Sequence, residues 1–330
     1  MKYRQFGKTT LQVSEVGFGA WAIGGAAMVG TTAIGWGPAE DGTSQQAIYQ
    51  AIDQGINFFD TADFYGLGHS EKLLGDTIGH RKDLLIATKV GHRAIADKIV
   101  LDYSREYILK AAEESLRRLK RETIDYYQLH SARLLHFQTE ACVEAMEALK
   151  KAGKIRYWGL SLNTFEPLPE AAYLMRLHKG AGFQLVFNLI NQLALPLIHE
   201  AAAEGYGIIA RMPLQFGLLT GKFKRDQQFA ENDHRSFRLN EELMQSSLQI
   251  LEEKIWPLVE KYQTTKTGLA MSYILSQPGI STVIPGIRTK EQAIENTSGI
   301  VMLEDSDRLL LENLAETDWF AIVNRLKELG

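Results

Sequence analysis

The strongest constraint on the fold is a regular alternation of apolar, strand-like runs with amphipathic helical patterns along the whole chain. The helical segment REYILKAAEESLRRLK, from Arg105 to Lys120, shows the helical pattern clearly, because its apolar residues recur at spacings of three and four. Such βα units require a parallel sheet, since a crossover helix is the usual connection between parallel neighbours. Eight runs resemble strands and each is followed by a helical pattern; they lie near Val16, Ile56, Leu84, Ile124, Ile155, Phe183, Gly207 and Ser281.

Eight βα units in 330 residues predict an α/β fold, the closed (β/α)₈ or TIM barrel, for which about 250 residues is typical. The additional residues predict an N-terminal β-hairpin (Lys2 to Phe6 with Gln12 to Ser14) and long loops over the carboxyl-end face of the barrel. They also include an insertion around Phe223 to Arg238 and a C-terminal helical extension after Glu304. Because no linker or low-complexity stretch divides the chain, we predict one domain over residues 1–330.

Charge and composition exclude several functional classes. The formal net charge is -4 and there is no long basic run, so we expect no nucleic-acid partner. No stretch approaches the roughly 20 apolar residues of a membrane helix, and no apolar signal segment follows the first methionine. The single cysteine, Cys142, permits no intrachain disulfide. We therefore expect a cytoplasmic protein without a membrane partner. A monomer is preferred to an oligomer, although no sequence feature determines the oligomeric state.

The segment GFGAWA, from Gly17 to Ala22, fits the G-x-G-x-x-A pattern of dinucleotide-binding Rossmann folds. That pattern binds a pyrophosphate only where a helix begins inside it. Here the chain continues as the glycine-rich and non-periodic IGGAAMVGTTAIGWGPAED. We interpret this segment as a loop over the barrel mouth, with an apolar substrate pocket lined by Trp21, Met28, Ile34 and Trp36.

Titratable side chains stand at the ends of three consecutive predicted strands. Asp60 ends the second, Lys89 ends the third and His130 ends the fourth, and Tyr65 follows Asp60 on a glycine-containing loop. Each alone has a plain structural explanation, as a helix cap, a surface charge or a packed polar residue. Together they lie where barrel enzymes carry their chemistry, at the carboxyl ends of the strands.

These four side chains suit the protonation of a carbonyl oxygen during its reduction. A tyrosine hydroxyl can act as a general acid toward a developing alkoxide, and a neighbouring ammonium such as Lys89 favours the resulting phenolate. Asp60 would keep Lys89 charged and oriented, and His130 would donate a hydrogen bond to the substrate oxygen. The sequence contains no convincing set of metal ligands, so we expect no metal.

The segment GINFFDTADFYGLGHSEKLLG resembles the signature of the aldo-keto reductases, TIM-barrel oxidoreductases that use NADPH without a Rossmann domain. IATKV, IDYYQLHSA, KIRYWGLSLN, PLQFGLLTGKF and VIPGIRTKEQAIEN resemble further family segments in the family's order, across nearly the whole chain. The resemblance implies reversible, NADPH-dependent reduction of an aldehyde or ketone to an alcohol. It also implies that Tyr65 is the general acid, with Asp60, Lys89 and His130 as its tuning partners.

The resemblance further implies a cofactor-binding set and a preference for NADPH over NADH, because Arg288 suits a 2′-phosphate. Arg211 departs from the family pattern, since many members place an aromatic ring there against the nicotinamide. His69, beside Tyr65, is expected at the rim of the substrate pocket with Trp21 and Trp36. The implied cofactor residues are Ser161, Asn163, Gln184, Arg211, Pro213, Leu214, Gly217, Leu219, Lys222, Gly286, Arg288, Thr289, Gln292 and Asn296.

Two other functions remain open from the sequence. One is a cofactor-binding regulatory subunit with little turnover, as in channel-associated members of the family. The other is a Schiff-base lyase in which Lys89 forms an imine with its substrate. The sequence leaves open which aldehyde, ketone, sugar or alcohol is the substrate.

Overall fold

The computed structural model of the protein describes residues 1–35, 37, 39–224, 226–229 and 235–329. Trp36, one of the predicted substrate-pocket residues, lies outside the described residues, as does part of the predicted insertion around Phe223 to Arg238.

Eight parallel strands form the barrel, and each pairs with its neighbours in chain order. Isolated parallel bridges from Val16 to Val283 and from Gly19 to Gly286 join the first strand to the last. The predicted (β/α)₈ barrel is therefore confirmed. The strands are β1 (Phe18–Gly19), β2 (Phe58–Asp60), β3 (Leu85–Val90), β4 (Ile124–His130), β5 (Ile155–Ser161), β6 (Gly182–Val186), β7 (Gly207–Arg211) and β8 (Ile280–Ile284).

Helices surround the barrel and cover the outer faces of the strands. All residues of β3 and β6 are buried, which explains why their sequences are apolar almost throughout rather than alternating. The helices are α1 (Asp41–Asp53), α2 (His69–Ile78), α3 (Arg105–Leu119), α4 (Leu134–Phe137), α5 (Ala141–Lys151), α6 (Leu168–Arg176), α7 (Leu195–Ala203), α8 (Arg235–Arg238), α9 (Glu241–Ile250), α10 (Pro257–Lys261), α11 (Lys266–Leu275), α12 (Lys290–Thr297), α13 (Asp305–Asn313) and α14 (Asp318–Leu329).

The predicted N-terminal hairpin is present and closes the amino-end face of the barrel. Its strands, Tyr3–Gln5 and Gln12–Ser14, pair antiparallel. The Phe6 ring between them packs edge-on against Tyr126 of β4, with ring centroids 4.9 Å apart. Gly182 and Gly207 make room for it, since a Cβ atom at either position would lie 2.6 Å from the Phe6 ring. The open end of the barrel is therefore the opposite, carboxyl end.

Two hairpins stand on the carboxyl-end face. The segment that follows GFGAWA forms a short 3₁₀ turn (Ala22–Gly24) and a small hairpin (Met28–Val29 with Thr32–Ala33), with no helix beginning inside the pattern. The second hairpin, His92–Ile95 with Lys98–Leu101, follows β3 and was not predicted. Its side chains beyond Arg93 are exposed, so the alternation that marks a half-buried strand is missing from its sequence.

The C-terminal helical extension is also present, as α13 and α14. None of the helices within the described ranges is both long enough and apolar enough to cross a membrane.

Candidate active site

The polar strand ends of β2, β3 and β4 converge at the open end of the barrel. Asp60 is the last residue of β2, Lys89 lies one residue before the end of β3, and His130 is the last residue of β4. Tyr65 begins a 3₁₀ turn (Tyr65–Gly68) that leads from β2 into α2. Gly66, with φ of 60°, adopts the left-handed backbone that lets the chain turn immediately after the tyrosine.

Lys89 is the centre of the site. Its Nζ donates to Asp60 Oδ2 at 2.6 Å, to the carbonyl oxygen of Thr61 at 2.8 Å and to the Tyr65 hydroxyl at 3.2 Å. Lys89 has no exposed surface and Asp60 is 2% exposed, whereas Tyr65 is half-buried. Three bonds use all three protons of the ammonium, so its position relative to the tyrosine is fixed.

The second carboxylate oxygen of Asp60 binds two buried amides. Gln128 Nε2 donates to Asp60 Oδ1 at 3.0 Å and Gln184 Nε2 donates to the same atom at 2.7 Å. Sequence analysis missed Gln128, although it lies two residues before His130 on β4, and residues two apart share a face of a strand. These bonds satisfy the hydrogen-bonding capacity of a carboxylate that is almost fully buried.

The charge on Lys89 results from opposing effects. Burial alone lowers the pKa of a lysine ammonium, but the Asp60 carboxylate and the Tyr65 oxygen outweigh burial and raise the pKa of Lys89 above its usual value. Lys89 is therefore an ammonium at physiological pH, directed at the tyrosine oxygen.

His130 lies on the other side of the tyrosine. Its ring meets the Tyr65 ring edge-on, with centroids 6.0 Å apart, and the Tyr103 hydroxyl donates to its carbonyl oxygen. Burial, assisted by His92, Lys89 and Arg211, holds the pKa of His130 well below its usual value. The imidazole is therefore neutral at physiological pH and can donate from only one ring nitrogen.

A second histidine, which sequence analysis did not select, stacks on His130. The His92 and His130 rings have centroids 4.3 Å apart and an interplanar angle of 23°, and Phe64 packs edge-on against His92 at 5.5 Å. Burial lowers the pKa of His92 to about 4. No sequence pattern marked this residue, because the exposed strands of its hairpin carry no apolar alternation.

Two of the predicted substrate-pocket residues are in contact, since the Trp21 indole nitrogen donates to the carbonyl oxygen of Ile34 at 3.5 Å. The Trp21 ring lies 6.3 Å from the Tyr65 ring. His69 begins α2 and its Nε2 is 2.8 Å from Asp41 Oδ1 at the start of α1, an exposed contact at the rim. Met28 and Ile34 lie on the loop after Trp21, with Met28 largely exposed.

The residues implied for the nicotinamide end of the cofactor adjoin the tyrosine site. Ser161, at the end of β5, pairs in register with His130 on one side and Gln184 on the other. Asn163 accepts from the backbone of its own loop through Oδ1, at 3.1 Å and 3.2 Å, which orders the loop after β5. The Arg211 Nη2 atom donates to the carbonyl oxygen of Leu162 and to Thr164, so this arginine ties β7 to the same loop.

The loop after β7 has a strained backbone. Met212, Gln215 and Phe216 all have positive φ, from 42° to 57°, before Gly217 at 97°. These residues bend the chain sharply, and backbone bonds close the bend: the Gln215 amide donates to the Met212 carbonyl oxygen, and the Gly217 and Leu219 amides donate to that of Leu214. Pro213, Leu214, Gly217 and Leu219 lie in this segment, and Lys222 ends it with an ion pair to Glu295 of α12 at 2.6 Å.

The residues implied for the adenosine end gather at the N-terminus of α12. Thr289 caps the helix, and Gln292 Oε1 accepts from the backbone amide of Arg288 at 2.7 Å. Asn296 Nδ2 donates to the carbonyl oxygen of Gly286, at the seam between β8 and β1. A helix N-terminus with a nearby arginine favours phosphate. These side chains are of the kinds that can hold a dinucleotide: polar groups at the ends of β5 and β6, Lys222 after β7, and Arg288 at a helix N-terminus.

Metal binding has no support in the described part of the chain. Among those residues, no group of three or more histidine, cysteine, aspartate or glutamate side chains is arranged to hold a metal ion.

The fold and site together define a barrel of eight βα units whose buried lysine–carboxylate pair supports a tyrosine at the mouth. Comparison with known families agrees, since the profile of the Aldo/keto reductase family matches residues 15–309. The chain therefore belongs to the aldo-keto reductase family, oxidoreductases that use a nicotinamide cofactor and act on small-molecule carbonyl substrates.

Individual relatives match over almost the full chain. An uncharacterised oxidoreductase of Bacillus subtilis is 31% identical over 90% of this chain and 90% of its own length. An NADH-specific methylglyoxal reductase of Escherichia coli is 29% identical, over 96% of this chain and 99% of its own. Among solved structures, a glycerol dehydrogenase from Gluconobacter oxydans is 28% identical with a TM-score of 0.80, covering 96% of this chain and 95% of its own.

Proposed function

We propose that this protein reduces an aldehyde or ketone to an alcohol, reversibly, with NADPH as the hydride donor and Tyr65 as the general acid. The observation that carries the proposal is the ammonium of Lys89, held by Asp60 and directed at the Tyr65 hydroxyl from 3.2 Å. No other described tyrosine has a buried ammonium within hydrogen-bond distance of its hydroxyl.

Each residue has a distinct task in the proposed reaction. A nicotinamide cofactor, when bound, would supply the hydride for the carbonyl carbon. Tyr65 gives its proton to the carbonyl oxygen, and the phenolate left behind is stabilised by the Lys89 ammonium. His130, neutral because it is buried, donates a hydrogen bond that positions and polarises the same oxygen. In the alcohol-oxidising direction the phenolate accepts the proton back.

Lys89 is unsuited to the Schiff-base alternative. An imine forms through a neutral amine, whereas Asp60 and Tyr65 raise the pKa of Lys89 and all three of its protons are bound. Borohydride in the presence of substrate should therefore leave Lys89 unmodified.

The deciding experiment follows NADPH oxidation with a panel of aldehydes and ketones, in the wild-type protein and in Tyr65→Phe. We expect kcat to fall by at least about 100-fold in the variant, a typical contribution of a general acid, while the Kd for NADPH stays the same. Equal rates would reject Tyr65 as the acid. Tight NADPH binding with no turnover by the wild-type protein would favour a regulatory subunit.

NADPH rather than NADH is proposed because Arg288 lies at the N-terminus of α12 with its backbone held by Gln292. The Escherichia coli relative is NADH-specific, so the preference needs its own test. Arg288→Gln should weaken NADPH binding about tenfold or more through loss of a charge-assisted contact, and leave NADH binding unchanged. Equal losses for both cofactors would contradict a role in 2′-phosphate recognition.

We also propose that the protein is cytoplasmic, in agreement with its single cysteine, and that it acts as a monomer. Light scattering at micromolar concentration tests the second point, and a mass of twice 37.0 kDa would contradict it.

A further inference from the structure

Beside the proposed acid the structure has a pair of stacked imidazoles, of which the proposed reaction uses only one. His130 lies next to Tyr65, and His92 covers the face of His130 at 4.3 Å. His92 comes from the hairpin after β3, so it is supplied by an element added to the barrel and not by the barrel itself.

The His92 ring has polar atoms available for a ligand. None of the described residues forms a hydrogen bond with either ring nitrogen of His92. Both nitrogens also keep some contact with solvent, since neither is a fully buried atom without a partner. The ring is nevertheless fixed, because Phe64 packs edge-on against it at 5.5 Å and His130 stacks on it. A fixed ring with solvent-accessible nitrogens is a preorganised hydrogen-bonding group.

The charge around His92 favours a neutral ligand. Burial keeps this imidazole uncharged at physiological pH. The neighbouring Arg93 is already paired with Asp102 at 2.6 Å and lies over the Tyr107 ring, so its charge is balanced within the hairpin. The pair of imidazoles therefore offers hydrogen bonds to neutral oxygens rather than attraction to a carboxylate or phosphate.

From this geometry we propose that His92 is a specificity-determining residue, which binds an oxygen on the carbon adjacent to the reacting carbonyl. A hydrogen bond spans about 2.8 Å, so two rings stacked 4.3 Å apart can each reach one of two oxygens carried by neighbouring carbons. The substrate class is then α-hydroxy carbonyls and vicinal dicarbonyls. This inference rests on the proposed reductase function and extends it.

The test uses lactaldehyde and propionaldehyde, which differ only in the hydroxyl on the adjacent carbon. We expect the wild-type protein to reduce lactaldehyde with at least about tenfold higher kcat/KM, the factor that one well-placed hydrogen bond provides. His92→Phe keeps a ring in the stack but has no hydrogen-bonding atom. In this variant the preference should disappear because kcat/KM falls for lactaldehyde only. Propionaldehyde reduction should change less than about threefold.

Two further variants separate recognition from packing. His92→Gln restores a donor without the aromatic stack and should recover part of the preference for lactaldehyde. Ile95→Ala, at an exposed position of the same hairpin, should behave as the wild type.

The outcomes distinguish the two proposals. If the wild-type protein reduces both aldehydes equally, or His92→Phe keeps the preference, the His92 inference is wrong while the reductase function stands. If rates for both substrates fall together in His92→Phe, the residue is a packing element and the inference is also wrong. If no aldehyde of the panel supports NADPH oxidation by the wild-type protein, the reductase proposal is wrong, and so is the His92 inference that rests on it.

Discussion

At the scale of single residues, the segment that ends β2 and follows it carries two carboxylates with buried oxygen atoms, in opposite environments. Asp60 receives hydrogen bonds from Lys89, Gln128 and Gln184. Asp63, three residues later, has a buried Oδ1 atom with no hydrogen-bond partner among the described residues. Burial, with the nearby Glu71 carboxylate, raises the pKa of Asp63 well above its usual value, although Arg118 opposes the shift. Folding therefore disfavours the ionised form of Asp63.

The raised pKa of Asp63 predicts a pH-dependent gain in stability for Asp63→Asn. Below the unfolded-state pKa near 3.8, Asp63 is protonated in both states and imposes no penalty. As pH rises above that value, Asp63 ionises in the unfolded state but stays protonated in the folded state. The wild-type protein therefore loses stability until the pH passes the folded-state pKa of Asp63. The variant avoids this loss, and its advantage should be about 1.4 kcal/mol for each unit of pKa difference.

Urea unfolding of both proteins at pH 4 and pH 8 measures that advantage. It should be larger at pH 8 than at pH 4. Asp83→Asn is the control with the opposite sign, because the Arg81 contact lowers the pKa of Asp83 to about 2. An Asp63→Asn variant that is less stable at pH 8 would show that the carboxylate is ionised and bound in the folded protein.

At the scale of elements, the hairpin after β3 depends on Gly91, the residue that precedes it. Gly91 has φ of 136°, and a Cβ atom there would lie 2.1 Å from the Tyr103 ring. Tyr103 in turn donates its hydroxyl proton to the carbonyl oxygen of His130. Gly91→Ala should therefore disturb both the hairpin and the end of β4, and should lower the free energy of unfolding by about 2–5 kcal/mol.

Gly153→Ala is the matched control for Gly91→Ala. Gly153 also has a positive φ, 73°, but a Cβ atom there meets nothing within 4 Å. Its cost should be limited to backbone strain, about 1–2 kcal/mol. Equal losses in the two variants, measured by urea unfolding, would mean that Tyr103 moves aside freely. A fall in kcat is expected only for Gly91→Ala.

The ion pair between Lys222 and Glu295 connects the β7 loop to α12 across the proposed cofactor path. Lys222 is 61% exposed at its side chain, so the pair should contribute less than about 1 kcal/mol to stability. If the pair holds the loop over the cofactor, Lys222→Gln should nevertheless raise the dissociation rate of NADPH several-fold. Stopped-flow fluorescence measures that rate.

Lys254→Gln removes a comparable ion pair to Asp318 on α14, away from the barrel mouth, and should leave NADPH dissociation unchanged. Glu295→Gln should raise the dissociation rate as much as Lys222→Gln, and the double variant no further. Additive effects would mean that Lys222 acts on the cofactor directly and not through Glu295.

At the scale of the whole molecule, the sequence predicted what depends on periodicity and missed what depends on tertiary contact. The eight strands and their helices follow from local apolar patterns, and the strand ends at Asp60, Lys89 and His130 follow from them. The His92 hairpin did not, because its residues beyond Arg93 are exposed and carry no apolar alternation. Gln128 was recognisable only from its position two residues before His130 inside a closed barrel.

The roles of the implied residues have a similar physical limit. Gln184 was assigned to the nicotinamide, yet in the structure its amide nitrogen also donates to Asp60. Arg211 was included among the cofactor residues as a departure from the aromatic ring of many family members, and its guanidinium holds the loop after β5 at Leu162 and Thr164. Such bonds join residues far apart in the chain, and no single-sequence pattern specifies them.

The proposal of a single domain can be tested through the residue that closes the amino-end face. Phe6 packs inside the barrel against Tyr126, and Gly182 and Gly207 leave space for its ring. One side chain therefore joins the N-terminal hairpin to β4, β6 and β7. If the barrel unfolds as a unit, Phe6→Ala should lower the stability of the whole molecule by about 3–5 kcal/mol, the cost of removing a buried aromatic ring.

Far-UV circular dichroism and tryptophan fluorescence should then report one coincident urea transition, shifted to lower urea in Phe6→Ala. Fluorescence samples Trp158 on β5 and Trp319 on α14, which are both buried and far apart in the chain. Phe320→Ala, at an exposed position on α14, should leave the transition in place. Two separated transitions, with only one sensitive to Phe6, would show that the hairpin and early strands form a unit independent of the C-terminal half.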